Sequence, residues 1–424
     1  MNAQPIHAVR GVQSLGKCRL CGAGLSHSLV DLGKSPLCET FLTPEQTDRM
    51  EPFFPLHVLV CDACWLVQLK EYVAAEGIFT DHYPYYSSFS TSWVEHARKY
   101  CELITARRGL NAQSFAVELA CNDGYLLQHF PKYGVTNILG VEPTANTAEV
   151  ARGKGIPVTV DFFGVALAEK IKAEKGKADL VLGNNVLAHV PDLNDFVGGV
   201  KLLLKDNGIA TFEFPHLQNL IEQNQFDTIY HEHFCYFSAI AIDAIAKAHG
   251  LVFFDVEEIP THGGSLRLYA ARQDSARQPV PSLDVVRAKE RVALLDRPEG
   301  YLGFIERVKA IKADFLKFIA DAKRAKKTVA AYGAAAKGNT FLNYCGVTST
   351  DISCVFDRSP AKQGKILPGS HIPVYAPTRL AKVRPDFLWI LPWNLENEIA
   401  TANTMITSWG GQFVVAVPRL RIFS

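Results

Sequence analysis

The sequence predicts an α/β protein centred on a mostly parallel, doubly wound sheet, with a small cysteine-bearing unit before it and a second, smaller α/β layer behind it. Three observations carry this expectation. Apolar strands alternate with helical stretches between residues 114 and 215, four of the ten cysteines form two Cys-x2-Cys pairs, and an amphipathic helix ending near Lys327 leads into a fresh strand and a small-residue loop. At 424 residues the chain has room for about two to four units of ~100–200 residues each.

The central alternation runs FAVELA, a helix after Gly124, NILGVEP, a helix from Ala145, IPVTV, a Lys-rich helix near residues 167–175, ADLVLGN, a helix from Leu193, and GIATFEFP. Repeated βα units of this kind build a parallel sheet. An insertion over residues 216–237 and a helix near 239–249 precede two further strands, LVFFDVEEI and GSLRLYA. Phe304, Val308, Ile311, Phe315 and Ile319 recur at helical steps, so this stretch is an amphipathic helix bridging two units. TVAAYG, DISCVFD, DFLWILPW and FVVAVP supply the strands of the last layer.

Composition excludes several classes. Apolar residues make up 48% and charged residues 21%, which sets aside disorder and fibrous repeats. Lys plus Arg total 44 against 43 acidic residues, so no bulk field draws in a polyanion. Residues 1–17 hold no apolar signal segment and no apolar run spans a bilayer, so a soluble, cytoplasmic chain is expected. In a reducing compartment, paired cysteines point to metal more than to disulfides.

Cys18 and Cys21, with Cys61 and Cys64, have the spacing of a tetrahedral zinc site, each pair giving two thiolates from one tight turn. Four protein ligands leave no open position, so such a zinc is structural. Chance pairing of buried thiols is the alternative. The first central strand ends Glu118-Leu119-Ala120-Cys121-Asn122-Asp123-Gly124, a strand-to-helix turn at the edge where open α/β sheets bind cofactors. The next ends Gly-Val-Glu142-Pro143, with an acid placed for ribose hydroxyls. A loop plus a later carboxylate suits a nicotinamide or an adenosyl cofactor. The loop lacks G-x-G-x-x-G and opens on Glu118, which suits a cationic amino-acid tail better than a pyrophosphate.

Together ELACNDG, GVEP and NNVLAHVPD resemble the S-adenosylmethionine site of class I methyltransferases, with Ala120 and Asn122 where glycines usually sit. The resemblance implies that Gly124 and Tyr125 complete the first cofactor loop. It implies that Asp161 and Phe162 flank the adenine, and that Asn184, Asn185 and His189 lie beside the methionyl part. YHEHFCYFS, THGGSLR and YGAAAKGNT extend it over nearly the whole chain, to sugar C-methyltransferases that act on nucleotide-linked 4-keto-deoxysugars. That subgroup joins a zinc module, a class I (Rossmann-like) methyltransferase core and a C-terminal α/β domain, which implies divisions at residues 1–75, 76–275 and 276–424. Tyr83, Tyr86 and Ser88 of FTDHYPYYSSF match its linker over the cofactor, Tyr86 and Ser88 toward the methyl donor and Tyr83 toward the sugar.

Methyl transfer to carbon needs a carbanion-like nucleophile, and a neighbouring ketone makes the C–H acidic enough for a side-chain base. Histidine is the natural base near neutral pH. His233 is the expected base, with Tyr230 and Glu232 orienting the sugar or stabilising the enolate oxygen. His-Glu-His lacks the i, i+4 spacing of a zinc helix, and structurally bonded histidines are the alternative. His262, Lys337 and Asn339 are the expected substrate contacts, Lys337 serving as the cation of a diphosphate-binding loop; an ordinary glycine-bearing turn is the other reading.

The leading expectation is S-adenosylmethionine-dependent C-methylation, at C3 or C5, of a nucleotide-linked sugar, the nucleotide being dTDP, with structural zinc. No nucleic acid or membrane partner is expected, and the chain is expected as a monomer or weak homo-oligomer. Two alternatives stand: a zinc-containing RNA methyltransferase, against which the balanced charge and missing basic aromatic patch count, and a binding protein that has lost the chemistry.

Overall fold

Every second residue of FPLHVLV is buried, the period of a strand covered on one face. In the computed structural model, which describes residues 16–424 apart from 71, 82 and 276, this segment is β2 (Phe54–Val60). The first fifteen residues of the expected zinc module and His82 of the aromatic linker lie outside the described residues. β2 pairs antiparallel with β1 (His27–Ser35) and β3 (Val67–Leu69) to form the front sheet.

α1 (Thr91–Arg108) leads into the central sheet, capped by the Ser90 hydroxyl accepting from Trp93 N. The βα alternation then folds as expected: β4 (Phe115–Leu119), β5 (Asn137–Val141), α2 (Ala145–Gly153), β6 (Val158–Thr159), α3 (Val165–Lys175), β7 (Ala178–Asn184), α4 (Leu193–Leu203) and β8 (Leu204–Pro215). All five residues of β4 are buried, as befits a central parallel strand covered on both faces. The helix expected after Gly124 is only a 3-10 turn over residues 127–133. Pro131 lies inside it and cannot donate to an α-helical ladder.

The insertion contributes β9 (Cys235–Tyr236), which leaves the central sheet and pairs antiparallel with β3 of the front sheet. After α5 (Ala239–His249), β10 (Leu251–Ile259) and β11 (Ser265–Arg272) return antiparallel, giving the seven-stranded order β10-β11-β8-β7-β4-β5-β6.

α6 (Pro281–Val292) and α7 (Phe304–Arg324) precede the rear sheet. It comprises β12 (Val329–Tyr332), α8 (Ala336–Cys345), β13 (Val355–Phe356), β14 (Val374–Tyr375), β15 (Phe387–Ile390), β16 (Gln412–Val415) and β17 (Arg421–Phe423). Its order, β14-β13-β12-β15-β16-β17 with β17 antiparallel, repeats that of β6-β5-β4-β7-β8 and its antiparallel neighbour. Each sheet therefore has a switch point beside its first strand, where open α/β folds bind ligands. Among the described residues, no helix is long and apolar enough to cross a membrane.

The apolar stripe of α7 joins front to rear. Its Phe304, Val308 and Phe315 share one core with Leu56 and Val58 of β2 and Trp389 of β15. The Phe315 ring centre lies 4.2 Å from Trp389 and 5.0 Å from Phe341. Removing a fully buried aromatic costs roughly 3–5 kcal/mol. Phe315→Ala is accordingly expected to lower the urea midpoint markedly, and an unchanged midpoint would show that α7 is not the spacer this packing implies.

Candidate active site

The two cysteine turns come together. All four sulfurs lie within 4.8 Å of one another, with Cys18–Cys64 at 3.6 Å and Cys21–Cys61 at 3.5 Å. A tetrahedral site with Zn–S of about 2.3 Å puts its sulfurs about 3.8 Å apart, so the four thiolates fit structural zinc. Each turn is closed by its own backbone bond, Gly22 N to Cys18 O and Trp65 N to Cys61 O, both 2.9 Å.

A cleft of about 690 Å³ opens between the carboxyl ends of β4 and β12. At its core edge the loop after β4 reaches left-handed backbone twice, at Ala120 (φ 55°) and Asn122 (φ 50°), the two positions that stand where glycines usually sit in the motif. Asn122 N donates to Glu142 (2.9 Å), which also accepts from Thr144 N (3.0 Å) and Thr144 Oγ1 (2.5 Å). A carboxylate accepts about four hydrogen bonds, so one site remains for a ligand hydroxyl. Glu118, fully buried, has no partner on either oxygen. Burial drives its proton affinity well up, and Glu142 and Asp123 add to this, a cost that a bound cation would relieve.

Further along this edge Pro143, Asp161, Phe162 and Tyr125 line the cleft. Both side-chain polar atoms of Asn184 are buried without a partner, as is Asn185 Oδ1, while Asn185 Nδ2 meets His262 Nε2 at 3.0 Å. Unpartnered donors and acceptors on one wall, beside an orphaned carboxylate, are the complement of an amino-acid tail. The residues therefore fit S-adenosylmethionine.

The same cleft collects three histidines, His189, His233 and His262. His233 Nδ1 lies 2.8 Å from the Thr228 carbonyl, which can only accept, so Nδ1 carries the hydrogen. Nε2 is then the acceptor of the Tyr230 hydroxyl, also at 2.8 Å. Burial, then the neighbouring His189, hold the His233 pKa well below the usual histidine range. Burial alone takes His189 down to about 4, and burial followed by Lys337 does the same to His262. All three are neutral imidazoles at physiological pH.

Glu232 accepts from Tyr83 Oη at 2.8 Å and is pushed up to about 8 by burial and then by Glu39. Glu39 was not anticipated. It comes from the front unit and pairs at 3.1 Å with Lys362 of the rear layer, both inside the cleft wall. Nothing in PLCETF or SPAKQGK marks these residues, because only the assembled fold brings them together. Below His262, the buried Glu213 gathers His96 (2.9 Å), Arg267 (3.0 Å) and Thr261 (3.0 Å), and the Trp93 ring packs edge-on to His262.

Most expected contacts reach the cleft, including Tyr83, Tyr86, His189, His262 and Lys337. Four do not line it. Glu118 lies beneath its floor. Gly124 (φ 75°) serves packing, since a Cβ there would sit 2.4 Å from Ile156 Cδ1. The Ser88 hydroxyl bonds Lys154 Nζ at 2.8 Å, and Ser87 and Ser90 line the cleft in its place. Asn339 is buried within α8, away from the cleft wall.

Three family models match in chain order: a zinc binding domain over residues 18–79, a methyltransferase domain over 93–255 and a C-methyltransferase C-terminal domain over 260–418. C-methyltransferase NovU of Streptomyces niveus is 35% identical over 97% of this chain and 98% of its own. Among solved structures, the PH0226 protein of Pyrococcus horikoshii OT3 is 16% identical, covering 44% of this chain and 94% of that one with a TM-score of 0.37. Magnesium protoporphyrin IX methyltransferase of Synechocystis PCC 6803 is 16% identical, covering 43% and 81% with a TM-score of 0.32. With its four-cysteine site, its cofactor edge and a curated relative matched from end to end, the chain belongs to the S-adenosylmethionine-dependent C-methyltransferases that carry a zinc-binding domain in front and a dedicated C-terminal domain behind.

Proposed function

We propose that this enzyme methylates carbon, at C3 or C5, of a nucleotide-linked 4-keto-deoxysugar, with dTDP as the nucleotide carrier. The observation that carries the reading is His233, a half-buried neutral imidazole on the cleft wall whose Nδ1 hydrogen is held by the Thr228 carbonyl and whose Nε2 accepts from the Tyr230 hydroxyl. A carbon acceptor requires such a base, whereas an oxygen or amine acceptor needs no ketone to activate it. The methyl donor, when bound, supplies an electrophilic sulfonium methyl. Glu142, Asn184 and Asn185 are the residues we assign to hold it, with the buried carboxyl of Glu118 beneath them.

In this reading His233 Nε2 takes the proton α to the ketone, as the Tyr230 hydroxyl turns to the sugar. Glu232, keeping its proton, donates to the enolate oxygen while Tyr83 fixes its other oxygen. The enolate carbon would then take the methyl group as the donor's methyl–sulfur bond breaks, its electron pair returning to sulfur to leave a neutral thioether, and the proton leaves on His233. The sugar nucleotide lies between the core and the C-terminal domain, with Lys337 on its anionic part. Lys337 is half-buried, donates to Asn394 at 2.7 Å and faces Asp227. The functional divisions we infer fall near residues 75 and 275, and the reading requires no nucleic acid, membrane or partner chain.

Radiolabelled methyl transfer to a panel of dTDP- and GDP-4-keto-6-deoxysugars tests the substrate class. Incorporation into a dTDP-linked ketosugar, abolished in His233→Asn with cofactor affinity retained, is expected; transfer to RNA alone would reject it. The pH profile of kcat/KM tests the two protonation states. A base must be neutral, so activity falls on the acid side only below the ordinary histidine range, given the depressed pKa of His233. An acid must be protonated, so activity also falls as pH rises through about 8, the value to which Glu232 is raised. Glu232→Gln, which still donates, is expected to erase the alkaline limb and keep turnover; a persisting limb would assign it elsewhere. Lys337→Ala is expected to raise KM for the sugar nucleotide far more than for the methyl donor, and equal effects would remove it from the substrate grip.

A further inference from the structure

Arg19, between the two thiolates of the first cysteine turn, makes contacts that zinc binding does not explain. Its Nη1 donates to the Pro191 carbonyl (2.5 Å) and its Nη2 to the Leu69 carbonyl (2.8 Å). The guanidinium carbon lies 5.3 Å from the centre of the Phe234 ring. Asn194 Nδ2 returns bonds to the Arg19 and Leu20 carbonyls at 3.1 and 3.2 Å. Apart from Leu69 and Leu20 these partners belong to the core: Pro191 closes the turn that carries His189, and Phe234 follows His233 in sequence.

Backbone bonds complete the junction. Phe234 N donates to Ala188 O at 2.7 Å, and Leu69 N donates to Phe234 O at 2.9 Å. The turn with His189 and the segment with His233 are thereby laced to each other and to β3. Their imidazoles meet edge to face with centres 4.7 Å apart. A planar fork that spends its two ends on carbonyls of different segments fixes the distance between them, which a flexible ammonium does not.

We propose that Arg19 is a positioning residue for methyl transfer, clamping the His189 turn to the end of β3, which in turn holds the His233 segment through Phe234, so that His233 keeps its place on the cleft wall. The proposal rests on the reading of His233 as the base. It gives the front domain a part in catalysis: the cysteine turn holds the arginine, and the arginine holds the base.

The test compares Arg19→Ala, Arg19→Lys and His233→Asn in the full-length, zinc-loaded enzyme, measuring zinc content, cofactor affinity, kcat, both KM values and the pH profile. Misplacing a catalytic group by about 1 Å costs about a hundredfold. Arg19→Ala is expected to lose that much kcat with zinc content, cofactor affinity and KM unchanged. It is also expected to move the acid limb up toward about 6.5, the ordinary histidine value, because a loosened pocket admits water to the imidazole. The titratable groups that face His233 are Tyr230 and Tyr236 from its own segment, His189, His262, and Lys337 of the C-terminal domain. None is altered by the substitution. Arg19→Lys keeps the charge without the fork, and an intermediate kcat is expected. Wild-type kcat and an unmoved acid limb in Arg19→Ala, with His233→Asn inactive, would overturn the clamp and leave the base standing. Turnover in His233→Asn would overturn the base reading, and the clamp with it. If Arg19→Ala loses zinc or fails to fold, Arg19→Lys decides: wild-type kcat and acid limb reject the clamp, while a reduced kcat with a shifted limb supports it.

Discussion

A peptide N–H or C=O taken out of water must find a partner, because leaving it unpaired costs on the order of 1–3 kcal/mol. Residues 234–236 run beneath the cleft and are fully buried, so their backbone has to be paired by whatever surrounds it. It is paired in three directions: with Ala188 of the core, with Leu69 at the end of β3, and through the short β3–β9 ladder. This requirement welds the front domain to the core at the one place where the histidines stand. It also explains why the front sheet is not an independent appendage: one of its four strands belongs to the insertion that carries Tyr230, Glu232 and His233.

The same desolvation sets the protonation of the cleft. Glu39 from the front, Glu232 from the insertion and Asp357 from the rear layer stand near a single buried cation, Lys362. Asp357 is satisfied by Ala334 N at 2.7 Å and Ser359 N at 2.7 Å, and Glu39 has the direct ion pair with Lys362. Glu232 is left with a tyrosine hydroxyl and no cation of its own. One lysine cannot neutralise three carboxylates in a low dielectric, so a proton stays in the cluster. Each member comes from a different part of the chain, so the raised proton affinity of Glu232 is a property of the assembled fold.

Local patterning made the architecture legible. The βα alternation, the two cysteine turns, the α7 stripe and the late strands all announce themselves through periodicity and spacing, which depend on near neighbours in sequence. One edge of the cleft is legible for the same reason, since Ala120, Asn122, Glu142 and Asn184, which line it, sit at strand ends. What sequence did not disclose are pairings between distant segments: β9 joining β3, Glu39 meeting Lys362, and Arg19 reaching Pro191. Ser87 and Ser90 line the cleft and Ser88 does not, a distinction that sequence cannot draw because neighbouring serines in an irregular segment look alike until the backbone is placed. At Gly124 the missing side chain makes room for Ile156, a packing need between distant segments that sequence does not show.

The departure from glycine at Asn122 has a physical rationale. Left-handed backbone costs an ordinary side chain roughly 1–2 kcal/mol, and asparagine tolerates it better than most because its short amide bonds locally. Here the amide does more than tolerate the conformation. Its Oδ1 accepts from Ser87 N at 2.9 Å and its Nδ2 donates to Tyr85 O at 3.1 Å, fastening the aromatic linker across the cofactor edge. A glycine would leave the turn unstrained and the linker without these two anchors. Asn146 adds a third tie, donating to Tyr83 O at 2.8 Å. Strain held at Asn122 is thus offset by order in the segment that presents Tyr83 to Glu232, so the residue that shapes the turn after β4 also steadies a group that bonds Glu232.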